Sequence, residues 1–242
     1  MLAGRIHEYI MKHSFERIRL KAVLFDMDGV LFDSMPMHAR AWSEAVTRFG
    51  LSMTPEEAYE HEGRTGKSTI NILTKRFWGR ETTDEEVERI YKVKSDLFNS
   101  YPEAKRMPGA ADLLNQVKRD GFQIVLVTGS GQHSLLNRLN KNFEGIFHKD
   151  LMVTSFDVRQ GKPSPEPYLM GLRKAGLHPW EAVVVENAPL GVRAGVAANI
   201  FTIAVNTGPL PDAKLVSEGA NLLFPSMTAL AQGWNTLRNA LS

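Results

Sequence analysis

The ten residues Lys21-Ala22-Val23-Leu24-Phe25-Asp26-Met27-Asp28-Gly29-Val30 constrain this chain more than any others. The apolar run predicts a strand buried on both faces, as in a parallel sheet. It ends abruptly in two carboxylates and a glycine. In extended backbone, residues two apart point to the same side, so Asp26 and Asp28 can converge on one site. Gly29 then lets the chain turn tightly away. Carboxylates at the carboxyl end of a buried parallel strand lie where open α/β sheets bind ligands. On these residues alone, an Asp- and Gly-rich surface turn is an equally good reading.

Beyond this stretch the pattern divides. Leu31-Phe32-Asp33-Ser34 leads into Met35-Pro36, a linker feeding a helix with proline in its first turn. Thr54-Pro55-Glu56-Glu57 opens a second helix with a capping residue and early acids. Ser68 to Trp78, stopped by Gly79, reads as a third. Thr83-Asp84-Glu85-Glu86 starts a long fourth, whose stripe carries Val87, Ile90-Tyr91, Val93-Lys94 and Leu97-Phe98. No strand interrupts them, so a small helical bundle is expected. From Met107 onward, helices alternate with apolar strands at 124–127, 151–154, 182–185, 201–205 and near 222–224. Such alternation implies a parallel sheet covered on both faces. The expected architecture is an α/β core formed by residues 20–32 and 105–242, with a helical cap at 33–104 inserted after the first strand. Residues 1–19 read as an extension, suited to a short helix that packs or frays, and no function attaches to them.

Composition bears on partners. A net charge of +2 offers no argument for nucleic acid, and no apolar run reaches membrane-spanning length. With no cysteine, disulfide, thiolate and cysteine-zinc chemistry are excluded. A cytoplasmic monomer is the expectation.

Each later strand ends in a polar group at the edge where Asp26 lies. Val127 is followed by Thr128-Gly129-Ser130-Gly131, and Val185 by Glu186-Asn187. Thr154-Ser155 leads through Asp157 to Gly161-Lys162-Pro163. Right-handed crossovers bring these ends to one crevice. Together they supply carboxylates for a hard metal, a hydroxyl and backbone amides for an anion, and one ammonium. That inventory suits phosphoryl transfer, where positioning and charge neutralisation carry most of the catalysis. Read singly, each is plainer: Thr128 a turn residue, Lys162 a solvated lysine, Glu186-Asn187 a helix-entry cap.

Asp26-Met27-Asp28-Gly29-Val30, Val127-Thr128-Gly129-Ser130, Gly161-Lys162-Pro163 and Glu186-Asn187-Ala188-Pro189-Leu190-Gly191 resemble, in this order, the four motifs of haloacid dehalogenase superfamily phosphatases and phosphomutases. The resemblance runs from residue 21 to 224 and is to the β-phosphoglucomutase and phosphoglycolate phosphatase branch, with a Rossmann-like core and a C1-type helical cap. It implies that Asp26 attacks phosphorus and becomes a transient aspartyl phosphate. Asp28 would protonate the leaving oxygen and then deprotonate the incoming water or hydroxyl. Thr128, with the amides at Gly129 and Ser130, would hold the phosphoryl oxygens, and Lys162 would bridge Asp26 and the phosphoryl group. Mg²⁺ would be held by Asp26, the Asp28 carbonyl and Asn187, with Glu186 direct or through water. Asn187 departs from the aspartate common there and removes one negative charge.

The cap would decide the substrate. Ser34 and His38 match a hinge segment shared by mutases and phosphatases and do not discriminate. Glu60-His61-Glu62-Gly63-Arg64-Thr65-Gly66-Lys67 does. β-Phosphoglucomutases carry a lysine where this chain has Glu62, and a distal-phosphate arginine where it has Gly66. Arg64 or Lys67 could substitute, though neither is in register. A carboxylate reaching the metal from the cap would close a small compartment over a compact substrate. The His-Glu-Gly-Arg-Thr-Gly stretch together with Glu-Asn-Ala-Pro-Leu-Gly is similar to bacterial inorganic pyrophosphatases of this superfamily. The expected substrate is therefore pyrophosphate. A β-phosphoglucomutase, a broad phosphatase of small phosphorylated substrates and, last, a non-catalytic binding module are the alternatives.

Overall fold

The structure is a computed structural model that describes residues 2–130 and 135–242. In chain order its elements are α1 (Leu2–His13), β1 (Ala22–Phe25), α2 (Met35–Thr47), α3 (Pro55–Glu60), α4 (Gly66–Trp78), α5 (Asp84–Ser100), α6 (Ala110–Arg119) and β2 (Gln123–Val127). They continue with α7 (Leu135–Asn142), β3 (Met152–Val153), α8 (Glu166–Ala175), β4 (Ala182–Glu186), α9 (Pro189–Ala197), β5 (Phe201–Val205), α10 (Asp212–Ser217), β6 (Leu222–Phe224) and α11 (Met227–Leu241). All strand pairs are parallel, in the order β3-β2-β1-β4-β5-β6. β1 lies at the centre, its four residues buried, with Ala22 level with Gln123 on one side and Ala182 on the other. A strand sealed on both faces has no use for alternation, which explains its unbroken apolar run. The reversal of strand order at β1, with β2 and β3 added on one side and β4 to β6 on the other, places a crevice at the carboxyl ends of β2, β1 and β4.

α2 to α5 gather around their own apolar cluster of Ala39, Val46, Leu51, Met53, Ala58, Ile70, Leu73 and Ile90. Two reciprocal capping boxes, Thr54 with Glu57 and Thr83 with Glu86, start α3 and α5 where the acidic tetrads predict. The two chain crossings between this bundle and the sheet run side by side, with the Asp33 amide on the Lys105 carbonyl (2.9 Å) and the Met107 amide on the Leu31 carbonyl (2.8 Å).

Three elements depart from expectation. The strand expected over 151–154 keeps only its middle two residues. Residues 149–151 form a single 3₁₀ turn, and the Thr154 amide bonds the Asp157 carboxylate at 2.8 Å instead of a neighbouring strand. α10 and α11 were not anticipated, although α11 carries Met227, Leu230, Ala231, Trp234, Leu237 and Leu241 at helical spacing behind a Ser226 cap. In the amino-terminal extension, where a short helix that packs or frays is expected, α1 is packed: Ile6 and Tyr9 are buried, and the Tyr9 hydroxyl donates to the Asn199 carbonyl at 2.8 Å.

Candidate active site

At the centre of the crevice lies Lys162, on the loop entering α8 and 3% exposed. Its ammonium donates to Asp26 Oδ1, to Glu186 Oε1 (2.5 Å) and to the Val127 carbonyl (3.2 Å). Three donors meet three acceptors, so the amine is saturated. Burial works to lower the Lys162 pKa, but Asp26 and Glu186 outweigh it and hold the ammonium above the usual lysine value. Glu186 is saturated as well. Its Oε1 also accepts from the Tyr168 hydroxyl (2.8 Å), and its Oε2 accepts the amides of Asn187 (3.0 Å) and Ala188 (3.2 Å). With four acceptor positions engaged, Glu186 is a clamp for Lys162. A metal meeting Glu186 directly would have to displace one of these donors, whereas one meeting it through water would not.

Asp26 retains one oxygen, Oδ2, buried and without a partner. Burial, and then Glu186 and Asp28, push its pKa well up against the pull of Lys162. Two residues on, Asp28 faces a different set of groups. Ser34 donates to its Oδ1 at 2.5 Å, and His38 Nε2 lies 3.2 Å from the same oxygen. Burial would raise the Asp28 pKa, but His38, Ser34 and then Arg138 draw it below the ordinary aspartate value. His38 in turn stacks on Phe98 (4.1 Å between centroids), and its Nδ1 meets Lys94 Nζ at 2.9 Å. Burial, then Lys94, lowers the His38 pKa, so its Nδ1 accepts from the ammonium while Nε2 faces Asp28. Lys94 was not singled out from the sequence as a site residue. Its signal was a lysine on the apolar stripe of α5, four residues from both Ile90 and Phe98.

The cap closes over these groups and leaves a cavity of about 90 Å³. Asp26, Asp28, Thr128, Gly129 and Ser130 form its core wall; His38, Trp42, Glu62, Arg64, Tyr91 and Lys94 form its cap wall. Thr128 Oγ1 accepts the Ser130 amide at 3.1 Å, which fixes the turn after β2. Glu62 reaches from the α3–α4 loop to Asn187 Nδ2 at 3.2 and 3.3 Å from its two oxygens. Burial, reinforced by Asp26, Glu186 and Asp28, raises the Glu62 pKa well above normal. Arg64 donates to His61 Nδ1 at 3.3 Å. Lys67 is not brought to the cavity: it is exposed and paired with Asp84 at 2.6 Å. That salt bridge across the α4 and α5 starts satisfies it outside. Gly29 has a left-handed φ of +84°, and a Cβ there would overlap the Asn187 amide, so both backbone and space require glycine.

Whether these residues fit a cation is read from what they leave unsatisfied. No ready-made cluster of three His, Asp or Glu side chains exists among the described residues. The open donors are instead a mixed oxygen set. Asp26 Oδ2 and Asn187 Oδ1 are both buried without hydrogen-bond partners. Among the described residues, the Glu62 carboxyl sits across the gap with no counter-ion, its one polar contact being the neutral Asn187 amide. Buried oxygens with surplus negative charge suit a hard dication.

A family model described as haloacid dehalogenase-like hydrolase matches residues 23–205. Hexitol phosphatase A of Escherichia coli is 36% identical over 193 residues, 78% of this chain and 84% of that protein. A phosphorylated carbohydrates phosphatase of Thermotoga maritima is 30% identical over 82% of this chain and 91% of its own. Among solved structures, a protein provisionally assigned as a β-phosphoglucomutase from Bacteroides vulgatus superposes with a TM-score of 0.97. It is 58% identical, over 100% of this chain and 98% of that one.

Proposed function

The chain belongs to the haloacid dehalogenase-like hydrolase family, and from that premise we propose that it is a Mg²⁺-dependent phosphohydrolase whose substrate is inorganic pyrophosphate. The observation that carries the substrate is Glu62. A cap carboxylate within 3.3 Å of Asn187 and on the same cavity as Asp26 disfavours a phosphate set directly against it without a metal, whereas Arg64 and Lys94 on the same wall can meet an anion's other oxygens. It accepts instead a compact anion that brings a metal with it. Gly66, where a mutase carries its distal-phosphate arginine, supports this: a Cβ there would stand 2.4 Å from the Tyr91 ring, so the position has no room for a side chain.

In this reading Asp26 attacks phosphorus, and its carboxylate becomes an aspartyl phosphate as the bond to the leaving phosphate breaks. Lys162, locked between Asp26 and Glu186, orients the nucleophile and meets the phosphoryl oxygens. Thr128 and the Gly129 and Ser130 amides hold the oxygens on the other side. Asp28, ionised at rest beside Ser34 and His38, would take up a proton as the anion enters, give it to the leaving oxygen and take one back from the water that cleaves the aspartyl phosphate. Asp26, the Asp28 carbonyl, Asn187 and Glu62 would hold Mg²⁺, with Glu186 direct or through water, and the ion would supply charge neutralisation to the phosphoryl group. Asn187 in place of aspartate lowers the charge of the set by one, and Glu62 restores it from the cap.

The names of the relatives favour a second reading, hydrolysis or isomerisation of a sugar phosphate. Phosphate release measured with Mg²⁺ on pyrophosphate, a hexitol phosphate and β-glucose 1-phosphate decides between them. Pyrophosphate is expected to show the highest kcat/KM. A preferred hexitol phosphate, or efficient interconversion of β-glucose 1-phosphate and glucose 6-phosphate, would replace the pyrophosphate reading.

A further inference from the structure

The cap loop that carries Glu62 meets the core along a narrow seam. Gly161, directly before Lys162, faces Thr65 at the cap helix α4. A Cβ on Gly161 would stand 2.9 Å from Thr65 Cγ2, 3.3 Å from the Thr65 nitrogen and 3.5 Å from the Gly63 carbonyl oxygen. Gly129 forms the other core side, 3.5 Å from the same carbonyl by the same measure. Gly161 is not among the glycines with positive φ, so its backbone conformation is one that alanine adopts freely. The contact with the cap is therefore what requires a glycine.

Thr65 is in no position to yield. Its hydroxyl caps α4 by accepting the Ser68 amide at 3.3 Å, so turning the methyl group aside sacrifices the cap. Gly63, two residues earlier, packs on the stem of Lys162, where a Cβ would lie 2.9 Å from its Cδ. A methyl at position 161 thus has to lift the loop away from the core. Glu62, three residues from Thr65, would be lifted with it.

We propose that the Gly161–Thr65 contact is a specificity determinant: it sets how far the cap closes, and so whether Glu62 completes the site over a compact substrate. This rests on the pyrophosphate reading above. A compact substrate needs the carboxylate at full closure, whereas a bulky ester that already holds the cap ajar does not. Displacements well under 1 Å matter in such sites, since about 1 Å of misplacement costs on the order of 100-fold.

The test compares the unmodified chain, Gly161→Ala, Thr65→Ser and the double variant, each with pyrophosphate and an aryl phosphate at several Mg²⁺ concentrations. Serine keeps the capping hydroxyl and removes the methyl group that the alanine would strike. Gly161→Ala is expected to lower kcat/KM for pyrophosphate by roughly 10-fold or more relative to the aryl phosphate and to raise the Mg²⁺ requirement. Thr65→Ser alone should stay near the unmodified chain, and the double variant should recover the lost ratio. Equal losses on both substrates would mean local damage beside Lys162 and overturn the proposal, as would failure of Thr65→Ser to rescue. The preference of the unmodified chain tests the pyrophosphate reading by itself. The rescue tests the seam, so the two can fail separately.

Discussion

Two buried lysines lie on opposite sides of the site, Lys94 on the cap wall of the cavity and Lys162 in the core behind Asp26, and they are held in opposite ways. Lys162, in the core, has three oxygen acceptors, two of them carboxylates, and its ammonium is stabilised. Lys94, in the cap, is 6% exposed, with one imidazole nitrogen at 2.9 Å and the rings of Phe98, Trp42 and Tyr91 at 5.1, 5.4 and 5.9 Å. Burial pushes its pKa down to about 8, with Asp28 pulling the other way. The core lysine is saturated before any substrate arrives, with Asp26 Oδ2 and Asn187 Oδ1 left open beside it, whereas the cap wall holds a cation short of a partner. An anion entering the cavity finds the chemistry already built in the core and supplies what the cap lacks. This division suits a family in which the sheet edge performs the reaction and the cap selects what undergoes it.

The severest way to break the comparison is at the saturated side. Lys162→Met leaves Asp26 and Glu186 facing each other with no counter-ion. Removing one member of a buried charge set costs about 3–5 kcal/mol, so thermal or denaturant unfolding should shift strongly and turnover should vanish. A mildly destabilised, active variant would show that the cluster is not the rigid unit described. Asp28→Asn comes next. It keeps the Ser34 contact but cannot carry a proton, and it should cost roughly 10²–10⁴-fold in kcat with little change in melting temperature. An unchanged rate on a substrate with a poor leaving group would remove Asp28 from proton transfer.

The contrast between the walls also decides what could be read from the sequence. The core motifs were legible because each is tied to the end of a strand: topology alone sends Asp26, Thr128, Lys162 and Glu186 to one edge once the strands are recognised. What escaped was how these groups divide the work. That Glu186 also clamps Lys162 emerges only when Tyr168 and two backbone amides are seen to hold its carboxylate in place. The cap offered less, because residues that meet in its wall come from separate helices with no fixed spacing between them. His38 of α2 and Lys94 of α5 are 56 residues apart and meet only through bundle packing. Lys67 beside Arg64 had sequence proximity to the loop but faces the other way, toward Asp84. α11 has clear periodicity and could have been found by extending the scan beyond the last strand.

A milder change sharpens the comparison at the seam between the walls. Glu62→Gln keeps size and removes charge. If Glu62 supplies the negative charge that Asn187 lacks, the Mg²⁺ concentration for half-maximal pyrophosphate hydrolysis should rise about 10–100-fold, the span seen when groups supporting a metal are altered. Asn187→Asp in the same background should recover part of the loss, because it returns the charge from the core side. Indifference of the Mg²⁺ requirement to both changes would leave Glu62 as a packing residue only.

The smallest effect on turnover, and the one with an unusual sign, belongs to Lys94→Met. The folded pKa of about 8 lies below the ordinary 10.5, so the folded chain binds the proton less well than the unfolded one. Below pH 8 the whole penalty is present. Between pH 8 and 10.5 the unfolded chain still binds the proton that the folded one has released, so stability rises with pH; above that window the lysine is neutral in both states and its titration adds no further slope. The penalty at neutral pH is at most about 3.5 kcal/mol, since each pKa unit corresponds to about 1.4 kcal/mol. Methionine fills a similar volume without charge, but it forfeits the hydrogen bond to His38, worth about 1 kcal/mol. A net stabilisation of about 1–2 kcal/mol is therefore expected at pH 7, shrinking as pH approaches 10. Activity should move the other way, because His38 loses the group that fixes its Nδ1 and so holds Asp28 less firmly. Unfolding midpoints across pH 6–10, set beside kcat at pH 7, check both signs. A variant that is less stable at every pH would mean that Lys94 is held by its aromatic neighbours as a satisfied cation, and the asymmetry between the two walls would collapse.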